Sequence, residues 1–319
     1  AIENRNYQNY FLQLDFWLSN NLHLETGIAL NTTQYFLDNV IINTASQNET
    51  YSFGNVWSPR IGLSYKIGNG KNIYASISKG FSVPAIAETL TPDGQINTTL
   101  KPEIGWNYEI GFKGNWMQNR IYGEFILFST QIQNLLVARR TADDQYVGIN
   151  AGSSSHPGIE FMMNYKLLET TAFQVTPYIS GAINQFVFKD FVDDGADYSG
   201  NRLTNVPDKQ VNFGLDFMTK YGFSINASYN YTGKIPMNDA NTKYTDSFAL
   251  LNFKTAYTFI ILKLLQIEVI AGINNVLNEK YAASILPNAV GFGELPPRYY
   301  YPANPINYYG GFSVNYLFL

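Results

Sequence analysis

Two arginines in one polar stretch have the chemistry to bind an anion. Arg139 and Arg140 are followed by Asp143 and Asp144 within the segment "ARRTADD". The guanidinium group of arginine suits bidentate hydrogen bonds to a carboxylate. The pair could therefore meet an anionic ligand, and an ion-pair cluster within a loop explains the same residues.

A second candidate for ligand contact is the aromatic segment "PPRYYYPANPINYY", which holds five tyrosines beside Arg298. A tyrosine ring offers a large apolar surface and one polar tip, so it suits both a membrane interface and a ligand cup. Tyr308 and Tyr309, next to an alternating segment, suit the interface. Arg298 and the run Tyr299, Tyr300 and Tyr301 are the candidates for ligand contact.

Residues for catalysis or metal binding are scarce. The chain has no cysteine and two histidines, His23 and His156, and it contains neither a GxSxG nor an HExxH motif. The acidic segment 190–201 lacks the spacing of an EF-hand, and calcium needs 6–8 oxygen ligands. A hydrogen-bonding role facing the interior of the predicted sheet structure is the expectation for His23, and an exposed polar position is the expectation for His156. The sequence predicts no enzyme, no metal site and no cofactor.

Composition narrows the class of protein. Of 319 residues, 14% are charged and 16% are aromatic, whereas an ordinary globular chain has about 25% charged residues. The net charge of −4 argues against a nucleic-acid partner, which needs a basic patch. The chain has no apolar run of the roughly 18–20 residues that a membrane helix requires, and its first residues do not resemble a signal peptide.

Polar and apolar residues alternate along most of the chain, which predicts strands with two different faces. In "FSINASYNYT", Ile225, Ala227 and Tyr229 alternate with polar Asn226, Ser228 and Asn230. Thirteen such strands are predicted, beginning near residues 7, 21, 57, 71, 104, 119, 144, 172, 206, 222, 247, 264 and 306.

The connections between these strands alternate between short turns and long loops rich in Asn, Asp, Gly and Pro. The long loops are predicted over about 36–55, 81–103, 132–143, 188–205, 233–246 and 275–305. Ten-residue alternating strands with this loop pattern are typical of an outer-membrane β-barrel. A soluble propeller is the weaker interpretation, because its blades would bring an internal repeat.

Strand parity adds a constraint. With long loops outside, the first and last predicted strands both run from the outside to the periplasm. A closed bacterial barrel has an even number of strands, and unpaired edges in lipid are costly. We therefore expect the chain to be the C-terminal part of a larger barrel, or the count to be wrong by one.

Several segments, in order along the chain, resemble the C-terminal barrel half of TonB-dependent outer-membrane receptors. They are "GFSVPAIAETL", "LKPEIGWNYEIGFK", "NAGSSSHPGIEF", "NVPDKQVNFGLDF" and "INNVLNEKY". Ser82, Ile306 and the terminal Leu319 depart from residues that are common in that family. The residues that carry the resemblance are Gly80, Phe81, Pro84, Leu100, Lys101, Pro102, Glu103, Tyr108, Glu109, Gly111, Asn150, Gly158, Glu160, Pro207, Asn274, Asn275 and Tyr281.

The resemblance implies an all-β transmembrane antiparallel barrel, with residues 1–319 as the last part of a 22-stranded, plugged barrel. It implies location in the outer membrane of a Gram-negative bacterium and TonB-driven import of a scarce nutrient, most often a ferric siderophore. The implied partners are outer-membrane lipid, a plug domain and N-terminal strands outside this chain, the TonB complex, the extracellular metal chelate and a surface lipoprotein.

Two other classes of function stay open from the residues alone. One is a passive porin or fatty-acid channel of about fourteen strands. The other is a barrel that exports or assembles envelope components.

Overall fold

The computed structural model describes residues 2–42, 45–90, 96–142, 145–193, 195–291 and 293–316, and these are mostly β-strand. No helix in these ranges is long and apolar enough to cross a membrane. The one-turn helix α1 covers Ile86–Thr89. The strands are β1 Ile2–Trp17, β2 Leu22–Ile42, β3 Ala45–Gly68, β4 Lys71–Ser82, β5 Glu103–Trp116, β6 Ile121–Gln133, β7 Leu136–Ala142, β8 Gln145–Asn150, β9 Gly152–Tyr165, β10 Leu168–Glu169, β11 Phe173–Asn184, β12 Val187–Asp193, β13 Ala196–Asp197, β14 Lys209–Thr219, β15 Phe223–Thr232, β16 Phe248–Ile261, β17 Leu265–Asn274, β18 Ala282–Ile285, β19 Tyr300–Pro302 and β20 Asn307–Tyr316.

One sheet contains the predicted succession of long strands. Within the described residues its order is β1-β2-β3-β4-β5-β6-β9-β11-β14-β15-β16-β17-β20, and β10, β12 and β13 join it off this path. The order follows the chain, as expected when each strand pairs with the next long strand. The prediction of thirteen principal strands is confirmed for the described part of the chain.

The connections predicted over 132–143, 188–205 and 275–305 contain short strands, which are β7, β12 with β13, and β18 with β19. Two other predictions are wrong at their boundaries. The connection predicted over 36–55 is largely strand, because β2 continues to Ile42 and β3 already begins at Ala45. The strand predicted from residue 144 divides into two parts. Residues 145–150 pair with β7 as a separate hairpin, and β9 starts at Gly152, where φ is +133°. Glycine tolerates this conformation. The sequence alternates on both sides of Gly152, so the pattern does not indicate the break.

The register of β14 and β15 gives the sheet a polar and an apolar face. Asn226, Ser228 and Asn230 lie opposite Asp216, Gly214 and Asn212, and Ile225, Ala227 and Tyr229 lie opposite Phe217, Leu215 and Phe213. A strand turns successive side chains to opposite faces, so these sets occupy different sides. The predicted division of the two sets is confirmed, and contact of the apolar face with lipid remains a prediction.

On the polar face, a tyrosine on one strand covers a glycine on the next. An added Cβ at Gly214 would overlap the ring of Tyr178, so no larger residue fits there without moving the ring. The Tyr178 hydroxyl accepts a hydrogen bond of 3.2 Å from Asn226, whose amide also donates to Asp216 at 2.7 Å. The ring thus connects β11 to β15 across β14.

Gly272 is covered in the same way by the ring of Tyr309, which lies opposite it on the polar face. The prediction that Tyr309 lies at the membrane interface is therefore wrong. Tyr308 is on the other face and is 71% exposed.

The chain forms two compact units. Unit 1 comprises residues 1–111, 127–157 and 186–201, and unit 2 comprises 112–126, 158–185 and 202–319. In unit 1, Leu37 and Ile96 form a buried apolar cluster against Tyr51 and Leu90. The Tyr35 hydroxyl donates to the Pro84 carbonyl at 2.7 Å. The segment that follows β4 is therefore fixed to the β2–β3 hairpin.

Candidate functional site

A cavity of about 730 Å³ lies in unit 2 where β14 begins, β15 ends and β16 begins. This is the end of the sheet at which the long connections lie. Gln210, Thr232 and Phe248 line the cavity from the strands, and the β18–β19 hairpin closes another side with Ile285 and Tyr300. Its volume is in the range of small-molecule sites, about 300–1,000 Å³.

The cavity wall combines aromatic rings with a few charged groups. The rings of Phe248 and Tyr281 stack with centroids 4.8 Å apart and planes inclined by 29°. Asp246, Glu279 and Lys280 also line the wall. Rings that present apolar faces beside a small number of polar groups give a site that can hold an organic ligand and fix its orientation.

Reciprocal hydrogen bonds tie two of the long connections to each other beside the cavity. The Asn241 side chain accepts a hydrogen bond from the Arg202 amide at 2.7 Å and donates to the Arg202 carbonyl at 2.9 Å. Thr204 also donates to Asp239. Asn241 has φ of +52°, a conformation that asparagine accepts more readily than most residues. The connections that follow β11 and β15 are therefore held together.

The third long connection of unit 2 is joined to this pair through Asn288. Its side-chain oxygen accepts a hydrogen bond from the Asp239 amide at 3.0 Å, and its nitrogen donates to the Asp239 carboxylate at 2.8 Å. The backbone N–H of Asn288 donates to the Met237 carbonyl at 3.0 Å. We name Asp239, Asn241 and Asn288 the loop clasp. It connects the unit 2 ends of the connections that follow β11, β15 and β17.

Asn275 shapes the start of the third connection, immediately after β17. It is 2% exposed, with φ of +50°. Its side-chain oxygen accepts from the Glu279 amide at 2.8 Å, and its nitrogen donates to the carbonyls of Glu279 at 2.8 Å and Asn304 at 3.3 Å. Asn274, its neighbour, donates to Asn307 at 3.0 Å. Asn275 thereby places the segment that brings Glu279 and Tyr281 to the cavity.

Of the aromatic candidates from sequence, Tyr300 is placed at the cavity. Tyr300 and Tyr301 pair with Ile285 and Ser284 across the β18–β19 hairpin. Tyr301 and Arg298 are exposed, Tyr299 is half-buried, and none of these three lines the cavity. Tyr300 is thus separated from its neighbours in sequence by the alternation of the strand.

The arginine candidates lie in the β7–β8 hairpin of unit 1. The backbones of Arg139 and Arg140 pair with Val147 and Tyr146. Their side chains, and residues Asp143 and Asp144, lie outside the described part of the structure. Anion binding by these arginines stays a prediction.

The "LKPE" segment is joined by hydrogen bonds to neighbouring segments of unit 1. Asn150 accepts from the Lys101 amide at 2.8 Å and donates to the Lys101 carbonyl at 2.9 Å. The Pro102 carbonyl accepts from Asn134 at 3.1 Å, and Glu103 accepts from the Leu136 amide at 2.7 Å. The segment therefore ties the start of β5 to the β7–β8 hairpin.

The remaining residues of the resemblance have diverse surroundings. Leu100 is 2% exposed, and Gly111 lies under the Tyr74 ring. Pro207 precedes β14 by two residues instead of opening it, and both Pro207 and Tyr281 line the cavity. The others lie along the strands or just after β4, at Gly80, Phe81, Pro84, Tyr108, Glu109, Gly158 and Glu160.

The two histidines have ordinary polar and aromatic partners. His23 lies 3.2 Å from Asp15, on the same face of the β1–β2 pair. His156 is half-buried and not exposed as predicted, because its ring stacks on Phe186 with centroids 4.6 Å apart and lies 2.9 Å from the Ser154 hydroxyl. Among the described residues no group of three or more His, Asp or Glu side chains could hold a metal ion.

Sequence reasoning missed most of the cavity wall. Thr232 and Phe248 belong to predicted strands but carry no motif that separates them from other strand residues, whereas Gln210 stands inside "NVPDKQVNFGLDF". Glu279 and Lys280 stand inside "INNVLNEKY", which the resemblance singled out, so the signal for this part of the wall was present in the sequence.

Known proteins resemble this chain both in sequence and in fold. The chain is 28% identical over 253 residues to the ferrioxamine receptor of Yersinia enterocolitica, covering 76% of this chain and 32% of that protein. It is 28% identical over 139 residues to the ferric-pyoverdine 358 receptor of Pseudomonas putida, covering 42% of this chain and 16% of the relative. The chain thus spans a third or less of the length of these relatives.

Among solved structures, the ferric citrate transporter FecA in its unliganded form superposes with a TM-score of 0.76 at 17% identity, covering 98% of this chain and 45% of the transporter. The siderophore receptor PiuA from Acinetobacter baumannii gives a TM-score of 0.73 at 16% identity, covering 98% of this chain and 43% of the receptor. The fold is therefore that of a transmembrane antiparallel β-barrel.

The family comparison covers most of the chain. The model described as "TonB dependent receptor-like, beta-barrel" matches residues 1–276, which include β1 to β17. This agrees with the resemblance seen in the "LKPE" and "INNVLNEKY" segments. The chain belongs to the TonB-dependent receptor β-barrel family.

Proposed function

We propose that the chain is part of an outer-membrane receptor that imports a scarce, bulky nutrient, with a ferric siderophore or similar metal chelate as cargo. Energy comes from the TonB complex through a plug domain outside these residues. The family match supports this proposal, as do relatives named for ferrioxamine and ferric-pyoverdine. The outer membrane of a Gram-negative bacterium is the corresponding location.

The cavity beside the loop clasp is the single observation that carries the proposal. In the family orientation the long connections face the outside, so the cavity opens where an extracellular ligand arrives. Its stacked Phe248 and Tyr281 rings offer apolar area to an organic chelator, and Asp246, Glu279 and Lys280 offer polar contacts. The ligand meets these groups before it reaches the lumen.

We further propose that residues 1–319 supply the C-terminal strands of a larger barrel. The coverage of 32% of the ferrioxamine receptor and 45% of FecA supports this. The first strands and the plug then come from the rest of the same protein. Further proposed partners are outer-membrane lipid and a surface lipoprotein.

Uptake of radioactive iron by cells that carry the complete receptor tests the proposal. We expect uptake of the ferric chelate to require TonB, and Phe248→Ala and Tyr281→Ala to weaken chelate binding by about tenfold or more, the equivalent of about 1.4 kcal/mol. Tyr308→Ala is the matched control, because Tyr308 is a tyrosine on the apolar face.

Uptake that is unchanged without TonB would instead favour a passive channel. Binding that is equally affected by Tyr308→Ala and Tyr281→Ala would remove the cavity from the proposal while leaving the family assignment intact.

A further inference from the structure

An apolar groove on the outer face of unit 2 has no part in the proposed uptake. It has a volume of about 560 Å³ and lies between β5, β6 and β9. Met162 and Glu124 contribute to its edge, and the residues that form most of its wall are Phe112, Trp116, Met117, Ile121, Phe125 and Met163.

Strand register places the groove on the face predicted to meet lipid. Met163 pairs with Ile179, Ile179 pairs with Phe213, and Phe213 pairs with Tyr229. Residues that pair directly across an antiparallel sheet share a face. The groove therefore opens on the apolar face, which is surrounded by acyl chains in the membrane.

A glycine and a tryptophan give the groove its depth. Gly123 leaves its floor without a side chain, and an added Cβ there would lie 3.2 Å from the Trp116 ring. The rings of Trp116 and Phe112 have centroids 5.6 Å apart and form one wall. Met163 is 45% exposed and Phe125 46%, so the wall is open to a partner.

Cationic groups lie at the short-turn end of the groove. Arg120, in the turn between Met117 and Ile121, donates to the carbonyls of Lys166 at 3.2 Å and Leu167 at 2.7 Å. Its guanidinium carbon lies 6.0 Å from the Tyr165 ring centroid, and Tyr165 is two residues after Met163 on the same face. The cation thus lies beside a ring of the apolar face, in a short turn that the family orientation places at the periplasmic boundary of the membrane.

Lys166 adds a second positive group at this boundary. Its ammonium is 3.8 Å from the Glu169 carboxylate, and its side chain is 45% exposed. An exposed ion pair at this distance contributes little to stability, so the Lys166 ammonium stays accessible to a phosphate.

We propose that this groove binds one anionic phospholipid of the periplasmic leaflet, with an acyl chain along Trp116 and Met163 and the phosphate beside Arg120 and Lys166. The apolar wall and the adjoining cations match the two ends of such a lipid. Phosphatidylglycerol is a suitable probe because its headgroup carries one negative charge. The proposal depends on the membrane orientation of the barrel and not on the identity of the imported cargo.

Quenching of Trp116 fluorescence by lipids with brominated acyl chains tests the site. The complete receptor is reconstituted in phosphatidylcholine vesicles with a minor fraction of brominated phosphatidylglycerol or brominated phosphatidylcholine. The Trp116 signal is the difference between the receptor and its Trp116→Phe variant. We expect phosphatidylglycerol to be preferred about fivefold for each cation that contacts the phosphate.

Arg120→Gln should reduce the preference for phosphatidylglycerol about fivefold, and Arg120→Gln with Lys166→Gln should abolish it. The matched control is Lys220→Gln, because the Lys220 ammonium also lies 5.3 Å from a tyrosine ring, that of Tyr221, in another short turn. This control should retain the preference.

Three results would overturn the proposal. Equal quenching by both lipids would show ordinary contact with bulk lipid only. A loss in Lys220→Gln as large as that in Arg120→Gln would show a general surface-charge effect. Absence of quenching by either lipid would show that protein, such as a second copy of the chain, covers the groove.

Discussion

Replacement of Asn275 by alanine would free the connection that brings Glu279 and Tyr281 to the cavity. Asn275 is buried, has φ of +50°, and holds this segment through two hydrogen bonds of 2.8 Å to Glu279 and one of 3.3 Å to Asn304. Alanine removes all three side-chain bonds. It also removes the polar side chain that makes the left-handed backbone conformation of Asn275 acceptable.

The stability lost in Asn275→Ala has two sources, the hydrogen bonds and the backbone conformation. Each of the two short bonds contributes about 1 kcal/mol net, and the long one less. The left-handed conformation costs an L-residue without a polar side chain about 1–2 kcal/mol. Asn275→Ala should therefore destabilise the connection by about 3–4 kcal/mol. Asn275→Gly, which tolerates the positive φ, should be milder than alanine by about 1 kcal/mol.

Amide hydrogen exchange of the complete receptor measures the local effect. We expect exchange over residues 276–291 to rise strongly in Asn275→Ala and less in Asn275→Gly, and affinity for the ferric chelate to fall about tenfold or more, or about 1.4 kcal/mol. Asn278→Ala is the matched control: Asn278 also has positive φ, +53°, but is exposed and accepts one bond of 3.1 Å from Ile306. Equal exchange in the Asn275 and Asn278 variants would refute the role assigned to the buried amide.

Three further changes probe other parts of the sheet. Ala227→Arg should lower the free energy of unfolding by about 2–4 kcal/mol at mid-bilayer, and Ser228→Arg should lower it much less. Equal losses of this free energy, measured by unfolding from lipid vesicles, would contradict the assignment of the faces. Leu100→Ala should destabilise the connection after β4 by about 2–4 kcal/mol, because Leu100 is 2% exposed. Proteolysis of that connection at the same rate in the variant and in the unchanged protein would contradict this expectation. Tyr178→Phe should cost about 1 kcal/mol through the hydrogen bond from Asn226. A double-mutant cycle with Asn226→Ala should give a coupling energy of about 1 kcal/mol, although Asn226→Ala alone also loses the bond to Asp216; a coupling energy near zero would contradict the bond.

The strands could be predicted because their signal is local and repeats every two residues. The alternation around Asn226 and Ser228 indicates both a strand and its two faces, and turn residues indicate where each strand ends. The prediction was wrong at residue 144, where alternation runs through a break that only the backbone of Gly152 reveals. Periodicity specifies faces more reliably than it specifies pairing.

The cavity could be predicted only in part, because its wall comes from residues distant in sequence. Tyr300 was selected for its aromatic surroundings, while Phe248 looked like any other strand residue. Asn275 was selected by resemblance, but its role depends on hydrogen bonds to Glu279 and Asn304 that no pattern of residue types specifies. Loops lack a repeating period, so their packing follows from individual side-chain contacts.

The loop clasp has a thermodynamic consequence for binding. Asp239, Asn241 and Asn288 hold the three connections together through hydrogen bonds made within the protein itself. The entropy of ordering these segments is thus lost during folding and is not lost again when a ligand binds. Calorimetry should show a heat-capacity change set by the contact surface alone, without the large contribution of coupled folding.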